Sequence, residues 1–224
     1  MLVEPPTDAA LGRPFSIAGA PGDRTLELLV ERRGRVTEAL CALPEGAAIS
    51  LIGPLGNGFT PPAADETAVL VAGGIGAAGL RYLARSLDAG ATARFLVGAR
   101  TREHLLDRVF PAGDRFETAV ATDDGTAGRR GTVCDLLAET LDTTGGPARV
   151  YCCGPPGMIR GAAAIAAARG VPCEASVEEI MACGVGACRG CVVATRDGYR
   201  AACTDGPVFD TAELLFEGAP DDRT

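Results

Sequence analysis

The chain has 224 residues, a mass of 22.8 kDa and a formal net charge of −8 at pH 7. Hydrophobic residues make up 47% of the sequence and charged residues 22%, which is typical of globular domains and excludes a disordered chain. The acidic charge disfavours nucleic acid and anionic membranes as partners, and no apolar run reaches the ~18 residues that span a bilayer.

The first third of the chain, residues 1–63, is predicted to be rich in β-structure. Its opening residues lack the basic and apolar regions of a signal peptide, so we expect a cytoplasmic protein. Turn residues separate short apolar runs that predict strands at Phe15–Ala18, Leu26–Glu31 and Ala48–Ile52, and Thr37–Leu43 is predicted to be helical. Prolines and polar residues at 61–66 indicate a linker.

Residues 64–172 are predicted to form an α/β domain, because strand patterns alternate with helix patterns. This alternation is typical of a parallel sheet with helices on both faces. The predicted strands are Ala68–Ala72, Ala93–Val97, Glu117–Ala121 and Arg149–Cys153. The predicted helices are Ala77–Ala89, Arg102–Val109, Val133–Leu141 and Gly157–Ala168.

Two glycine-rich turns follow predicted strands of this domain. Gly73, Gly74 and Gly76 lie between the first strand and the first helix, and Cys153, Gly154 and Pro155 follow the last strand. Nucleotides bind at the carboxyl ends of strands in open α/β sheets, where small residues let a pyrophosphate approach backbone N–H groups. The turns therefore predict a dinucleotide site, although a turn chosen for packing and a buried cysteine remain alternative interpretations.

The most specific pattern is formed by four of the nine cysteines, in the C-terminal segment 173–224. Cys183, Cys188, Cys191 and Cys203 have the spacing C-x4-C-x2-C followed by a distant cysteine, which is typical of plant-type [2Fe–2S] ferredoxins. Glycines between them permit a tight loop that directs N–H groups at the sulfurs. Structural zinc is the alternative, although its sites usually pair two short knuckles. Cys41, Cys134 and Cys173 are expected to be small buried residues, and the tail from Gly218 to be frayed.

Acid–base chemistry has few candidates in this sequence. All 21 basic residues are arginine, which excludes lysine Schiff bases, and His104 is the single histidine, which argues against a Ser-His-Asp triad. We expect His104 to lie on the surface and Asp123-Asp124 to form a turn, with nucleotide contact as the alternative. Arg100 and Arg102 leave the choice between NAD and NADP open. No catalytic residue is assigned.

The order of the motifs resembles that of the ferredoxin–NADP reductase superfamily. R-P-F-S at 13–16 is followed by L-I-G-P-L-G-N-G-F at 51–59, G-G-I-G at 73–76, A-T-D-D-G-T at 121–126 and C-G-P at 153–155. The last in order is the segment 183–203 that holds the four cysteines, which we call the cysteine segment. Within that superfamily the chain resembles the electron-transfer subunits of class 1B dihydroorotate dehydrogenase, most closely in EEIMACGVGACRGC at 178–191 and CTDGPVFD at 203–210.

This resemblance implies three cofactors, namely FAD, a [2Fe–2S] cluster and NAD. It also implies a partner, the FMN-containing catalytic subunit, in a heterotetramer with two copies of each chain. Electrons from dihydroorotate would pass through the cluster and FAD to NAD⁺ in pyrimidine synthesis. By position, the flavin residues would be Arg13, Pro14, Phe15, Ser16, Val30, Glu31, Arg32, Val36 and Thr37.

Two departures from the family pattern concern the flavin region. Val30, Glu31 and Val36 replace the residues that the family commonly has, and Glu31 would repel a diphosphate unless Arg32 or Arg33 compensates. Only twelve residues precede Arg13, so we expect a partial FAD-binding β-barrel. A start placed too late is the favoured explanation, and a strand edge covered by a partner or impaired FAD binding are the alternatives.

Two rival functions remain from the sequence alone. A reductase subunit of a hydrogenase- or oxygenase-associated complex would share every cofactor and differ in its partner. A zinc-stabilised regulatory module would be colourless and contain no iron. The expected architecture is thus α/β plus β, with a flavin-binding β domain (1–63), an NAD-binding α/β domain (64–172) and a small cluster domain (173–224).

Overall fold

A computed structural model describes residues 1–4, 6, 8, 11–88, 90–106 and 116–216. It has fourteen strands and four α-helices in this part of the chain. The strands are β1 (Leu2–Val3), β2 (Arg13–Pro14), β3 (Ile17–Gly22), β4 (Thr25–Leu28), β5 (Leu51–Ile52), β6 (Thr67–Gly73), β7 (Ala93–Ala99), β8 (Glu117–Thr122), β9 (Arg129–Arg130), β10 (Ala148–Cys153), β11 (Cys173–Ser176), β12 (Val192–Thr195), β13 (Gly198–Ala201) and β14 (Val208–Asp210). The helices are α1 (Arg35–Cys41), α2 (Ala77–Ser86), α3 (Val133–Thr143) and α4 (Pro156–Ala168). No helix within the described ranges is long and apolar enough to cross a membrane.

A seven-stranded sheet forms the centre of the molecule, in the order β14-β11-β10-β6-β7-β8-β9. All neighbours are parallel except β11 and β14. β6 is almost continuously apolar because both of its faces are covered, as expected for a central parallel strand. The prediction of a parallel sheet with alternating helices is confirmed.

Helices cover both faces of this sheet. α2 buries Leu80, Leu83 and Ala84, at helical spacing, in one core with side chains of β6 and β7 such as Leu70 and Phe95. α3 and α4 pack on the opposite face in a second core, where small alanines of α4 allow close helix–sheet contact. α2 therefore covers one face of the sheet, and α3 and α4 cover the other.

The N-terminal strands form two small units. β1 pairs with both β2 and β5, and β3 pairs with β4 in a separate hairpin. Within the described residues these strands do not close into a barrel, so the predicted partial β-barrel is not confirmed. The strand bounds also differ from the prediction, because two-residue strands such as β1 and β5 are too short to show an alternating pattern.

The large sheet continues beyond residue 172, the predicted end of the α/β domain. β11 pairs with β10, and β14 then adds an antiparallel edge strand. Between these two strands lies the cysteine segment, which runs from Cys183 to Cys203 and includes the β12–β13 hairpin. The cysteine segment is therefore an insertion between two strands of the sheet, which fixes it against the strands' carboxyl edge.

The predicted helix Arg102–Val109 is wrong in its described part. Arg102–His104 forms one 3₁₀ turn, and the backbone is extended at Leu105. Leu105 and Leu106 turn into the α2 core, and no side chain caps the turn. Residues 107–109 of this prediction lie outside the described residues, as do Ala89, which ends another predicted helix, and the C-terminal tail from Gly218.

The two glycine-rich turns lie against each other at the carboxyl edge of the sheet. A Cβ at Gly73 would lie 2.7 Å from Met158 Sδ and from Pro155 Cδ. A Cβ at Gly76 would lie 2.5 Å from the carbonyl oxygen of Cys153. Because backbone fills that space, glycine is needed here for close packing between the turns.

We expect Gly76→Ala to destabilise the fold by about 1–3 kcal/mol, because an extra methyl group must displace backbone of the second turn. Gly79→Ala is the matched control, since its Cβ would meet Ser16 Cβ at 3.6 Å, an ordinary contact. Denaturant unfolding checks both variants. Equal midpoints for Gly76→Ala and Gly79→Ala would contradict the packing argument.

An ionic network joins β10, β11 and the residue just before β6 at the opposite edge of the sheet. Arg149 on β10 bonds Glu66 with an Nε–Oε2 distance of 3.0 Å and lies 3.6 Å from Glu174 on β11. The side chain of Glu66 is 13% exposed, so solvent screens the pair only partly. Hydrogen bonds from Arg149 and from the Ala63 N–H lower the pKa of Glu66 below its ordinary value.

This shift makes stability depend on acid pH. The folded state holds Glu66 ionised at a pH where the unfolded chain binds a proton, so the network stabilises the fold above the ordinary pKa of glutamate. That stabilisation is lost as the pH falls through the lowered pKa. We expect Glu66→Gln to cost about 1 kcal/mol near pH 7 and to flatten the acid limb of an unfolding pH series. The exposed Glu45→Gln is the control, and an unchanged acid limb in Glu66→Gln would refute the assignment.

Candidate functional site

A cleft of about 610 Å³ opens where the N-terminal strands, the carboxyl edge of the sheet and the cysteine segment meet. Phe15 and Ser16 line it from the N-terminal region, Gly76 and Cys153 from the glycine turns, and Cys203 from the cysteine segment. The fold thus brings residues from all three predicted regions to one cleft, although they are up to 188 positions apart in the sequence.

The R-P-F-S motif spans β2 and the loop after it, and only part of the motif lines the cleft. Pro14, Phe15 and Ser16 line the cleft, and Phe15 is held by a hydrogen bond from its N–H to the Met1 carbonyl, at 2.9 Å. Arg13 points elsewhere, since its exposed guanidinium donates to the carbonyl of Leu11 at 2.9 Å. A ring and a hydroxyl therefore face the cleft, and the arginine does not.

The second and third predicted flavin segments also contribute unequally. Glu31 and Thr37 line the cleft, whereas Val30 and Arg32 do not and Val36 is buried. Of the two arginines expected to offset Glu31, Arg33 lines the cleft and pairs with Glu31 at 2.9 Å, so the negative charge expected to repel a diphosphate is partly neutralised.

The Thr37 side chain stabilises the start of α1, which begins at Arg35. Its Oγ1 accepts hydrogen bonds from the N–H groups of Arg33 at 2.9 Å and Gly34 at 3.2 Å. These contacts cap the start of the helix, where four N–H groups lack partners within the helix. Thr37 therefore both fixes the backbone at 33–34 and lines the cleft.

Three residues of the glycine turns line the cleft, namely Ile75, Gly76 and Cys153. Gly73, Gly74, Gly154 and Pro155 do not line the cleft. Burial, followed by the nearby carboxylate of Glu178, raises the pKa of Cys153 to about 12. The thiol is therefore protonated at neutral pH, which makes it a soft apolar group with a weak donor and not a thiolate nucleophile.

Backbone N–H groups point at the sulfurs of the cysteine segment. Gly186 donates to Cys203 Sγ at 3.2 Å, and Cys188 donates to Cys183 Sγ at 3.4 Å. Gly184 and Gly186 have φ of +69° and +79°, the left-handed conformation that the loop needs to turn its N–H groups inward. The segment thus has the donor pattern expected around thiolates.

These donors favour the ionised form of one thiol in particular. The N–H of Cys188, followed by that of Val185, lowers the pKa of Cys183 to about 6. Burial has the opposite effect on Cys203, whose pKa is raised. Metals and clusters bind thiolates, so the backbone around Cys183 favours the form that acts as a ligand.

The four thiols form two pairs. Side-chain contacts join Cys183 to Cys188 and Cys191 to Cys203, and the charge of Cys183 also acts on Cys203, so the two pairs lie close to each other. Among the described residues, no group of three or more His, Cys, Asp or Glu side chains is arranged to hold a single metal ion. Two pairs of cysteines fit a cluster with two irons, in which four cysteines are shared between the metals.

The two pairs differ in their exposure. Cys188 is exposed, whereas Cys191 and Cys203 are buried, and Cys203 reaches the wall of the cleft. A group held by the four sulfurs would therefore have one end at the molecular surface and the other at the cleft.

Several residues of the cleft carried no signal by residue type alone. Tyr82 of α2 and Glu178 line it, and burial raises the pKa of Glu178. The loop 54–59 lines it as well. This loop belongs to the motif at 51–59, whose place in the motif order was the one signal for it.

Other candidate residues lie outside the cleft. His104 is exposed, as predicted. Asp124 Oδ1 accepts hydrogen bonds from the N–H and hydroxyl of Thr126, which gives the predicted turn and lowers the pKa of Asp124. Arg100 and Arg102 are exposed near this turn. Of the three cysteines expected in the core, Cys173 is buried, and Cys41 and Cys134 are half-buried.

Comparison with known proteins identifies the cysteine segment. Residues 178–215 match the family model described as the iron–sulfur cluster binding domain of dihydroorotate dehydrogenase B. The chain is 36% identical over 212 residues to the dihydroorotate dehydrogenase B (NAD(+)) electron transfer subunit of Clostridium acetobutylicum, with 93% of this chain and 81% of that protein covered. It is 35% identical to the corresponding subunit of Caldanaerobacter subterraneus subsp. tengcongensis, with 92% and 81% covered.

Among solved structures, an NADH-dependent reduced ferredoxin–NADP oxidoreductase studied for flavin-based electron bifurcation is similar over 96% of this chain and 78% of that one. The TM-score is 0.81 and the identity 29%. The fold is therefore of the ferredoxin–NADP reductase type, as the motif order indicated. Together with the identity to the curated relatives, this shows that the chain belongs to the family of electron-transfer subunits of dihydroorotate dehydrogenase B.

Proposed function

We propose that this chain carries electrons from an FMN-containing dihydroorotate dehydrogenase catalytic subunit through a [2Fe–2S] cluster and FAD to NAD⁺, in de novo pyrimidine synthesis. The relatives' name, electron transfer subunit, supports a division of labour with a subunit on which the substrate reacts. The observation that carries the proposal is the cleft, because predicted flavin residues form one wall and Cys203 forms another.

The side chains of the cleft suit a bound flavin. Phe15 offers an aromatic face to a planar ring, and the Ser16 hydroxyl can donate or accept a hydrogen bond. Arg33 and Thr37 provide polar groups at the same wall. When bound, the flavin exchanges single electrons with the cluster and a hydride with NAD⁺, and the protein supplies position and electrostatics.

The glycine turns suit the nicotinamide nucleotide. Gly74–Gly76 forms a 3₁₀ turn that runs directly into α2, so the positive end of the helix dipole lies at this turn, where it would favour a pyrophosphate. Cys153 holds its proton beside this turn, so it can pack against a ring without attacking it. We assign Gly73, Gly74, Gly154 and Pro155 to shaping this site through their mutual packing.

The cysteine segment suits the cluster. N–H groups of Gly186, Cys188 and Gly190 donate to three of the sulfurs. Such donors stabilise negative charge on the cluster and raise its reduction potential. Cys188 is the exposed ligand, so we propose that the catalytic subunit binds on its side, in a heterotetramer with two copies of each chain.

We propose further that the three regions act as a flavin domain (1–63), a nucleotide domain (64–172) and a cluster domain (173–224), although β11 and β14 share the central sheet. The nine free cysteines suit a reducing compartment, and we propose the cytoplasm.

Replacement of an exposed cluster ligand tests the relay. In the complex with the catalytic subunit, we expect Cys188→Ser to lower dihydroorotate-dependent NAD⁺ reduction by more than about 10²-fold, because the cluster is lost or displaced. Oxidation of dihydroorotate with an artificial acceptor should remain, since it needs the catalytic subunit alone. Iron, sulfide and flavin analysis and steady-state assays measure these quantities.

Cys41→Ser is the matched control, because Cys41 lies on α1 away from the cysteine segment. It should retain the cluster and the full rate. Unchanged NAD⁺ reduction in Cys188→Ser would contradict the relay. A chain that binds no such catalytic subunit and exchanges electrons with a ferredoxin would instead have the activity named for its structural relative.

A further inference from the structure

Asn57 joins the wall of the cleft to the loop that carries Cys203. We call residues 53–58 the cleft loop and residues 203–208 the Cys203 loop. The Asn57 N–H donates to the Gly206 carbonyl at 2.7 Å. Its Nδ2 donates to the Asp205 carbonyl at 2.9 Å, and its Oδ1 accepts from the Val208 N–H at 3.1 Å. One residue therefore makes three hydrogen bonds across 148 or more positions of sequence.

The side chain at this position needs both a donor and an acceptor. A carboxamide has both, whereas a carboxylate can only accept and an alanine can do neither. The sequence contains no other asparagine and no glutamine, so Asn57 is its only carboxamide side chain. Its two side-chain hydrogen bonds join backbone groups of Asp205 and Val208, which lie on either side of Gly206 and Pro207. The Cys203 loop is therefore held at two points.

Close backbone packing accompanies these bonds. A Cβ at Gly56 would lie 2.5 Å from the Gly206 carbonyl oxygen, and Gly56 has φ of +69°. A glycine is therefore needed next to Asn57 if the two loops are to approach this closely. The contact is built from both backbone and side chain.

The chain after the cleft loop is anchored independently to the central sheet. Phe59 packs edge-on against Tyr151 with ring centroids 5.5 Å apart, and the Thr60 carbonyl accepts from the Tyr151 hydroxyl at 2.8 Å. The Thr60 N–H donates to Glu174 at 2.9 Å. Because Phe59 and Thr60 are fixed to β10 and β11, Asn57 holds the Cys203 loop at a set place relative to these strands.

From this arrangement we infer that Asn57 is a positioning residue that holds Cys203 at the cleft wall and so sets the separation between cluster and flavin. The inference rests on the proposed function. Cys203 Sγ already accepts from Gly186 N–H within the cysteine segment, so Asn57 does not hold the cluster itself but holds the cluster's inner end against the flavin cleft. Loss of Asn57 should therefore leave the cluster bound and change its distance to the flavin.

The first experiment reads the contact directly by hydrogen–deuterium exchange of the full chain. In Asn57→Ala, amides of the 203–208 segment should exchange at least about tenfold faster, because the Val208 N–H loses its acceptor. Asn57→Asp keeps an acceptor for Val208 and loses the donor to Asp205, so its exchange should be intermediate. Ser50→Ala, an exposed position upstream of the cleft loop, is the control and should match the unsubstituted chain. Unchanged exchange in Asn57→Ala would overturn the inference.

The second experiment separates positioning from general structural damage. Rapid mixing of the complex with NADH times two steps in one sample, flavin bleaching and electron transfer onward to the cluster, and flavin content is measured first because Asn57 lines the cleft. Electron transfer onward to the cluster should slow several-fold in Asn57→Ala, because the rate of electron tunnelling falls exponentially with the distance between donor and acceptor. Iron content should be unchanged, and Asn57→Asp should restore part of the rate.

The outcomes distinguish a failure of the positioning role of Asn57 from a failure of the proposed electron-transfer function. Faster exchange with an unchanged cluster-reduction rate would overturn the positioning role. Equal slowing of flavin bleaching and cluster reduction would also overturn it, as would loss of iron in both Asn57 variants. An unsubstituted complex that contains cluster and flavin but transfers no electrons from dihydroorotate to NAD⁺ would refute the proposed function, while the exchange experiment would still decide whether Asn57 holds the Cys203 loop.

Discussion

The hydrogen bonds that backbone N–H groups donate to cysteine sulfurs are the interaction on which this molecule's chemistry depends. They require a loop with left-handed glycines, and such a loop has little apolar surface with which to fold by itself. The central sheet provides the missing support, because β11 enters the cysteine segment and β14 leaves it. The position of the cysteines is thereby tied to the same strands that carry the glycine turns.

The cleft follows from that arrangement. Parallel strands end at one edge, and the turns after β6 and β10 meet there because glycines allow their backbones to touch. The N-terminal strands and the cleft loop cover this edge from the other side. The proposed flavin site, between the glycine turns and the cysteines, needs no acid–base residues, which agrees with a sequence that has one exposed histidine and no lysine.

The parallel sheet, its helices and the four cysteines could be predicted from the sequence because their signals are local. β6 is a continuous apolar run, and the cysteine spacing lies within 21 residues. The N-terminal strands could not be predicted well, since β1 and β5 have two residues each and depend on long-range pairing. The turn at Arg102 was missed because Leu105 and Leu106 look like a helix face and instead enter the core as extended backbone.

Within the cleft, the sequence identified segments better than side chains. Phe15 and Ser16 face the cleft, but Arg13 beside them points away, and Arg33 lies where Arg32 was expected. Such choices depend on side-chain direction in irregular segments, for which there is no periodicity to read. Asn57 carried no signal of its own, because its partners are backbone groups of a distant loop.

We propose that four thiolates hold a two-iron cluster beside a flavin. The most direct test is metal analysis and electron paramagnetic resonance of the chain purified without oxygen and reduced with dithionite. We expect about two irons and two sulfides per chain and the signal of a reduced [2Fe–2S] cluster, which requires Cys183, Cys188, Cys191 and Cys203. A colourless protein that contains zinc, no iron and no paramagnetic signal would contradict the account.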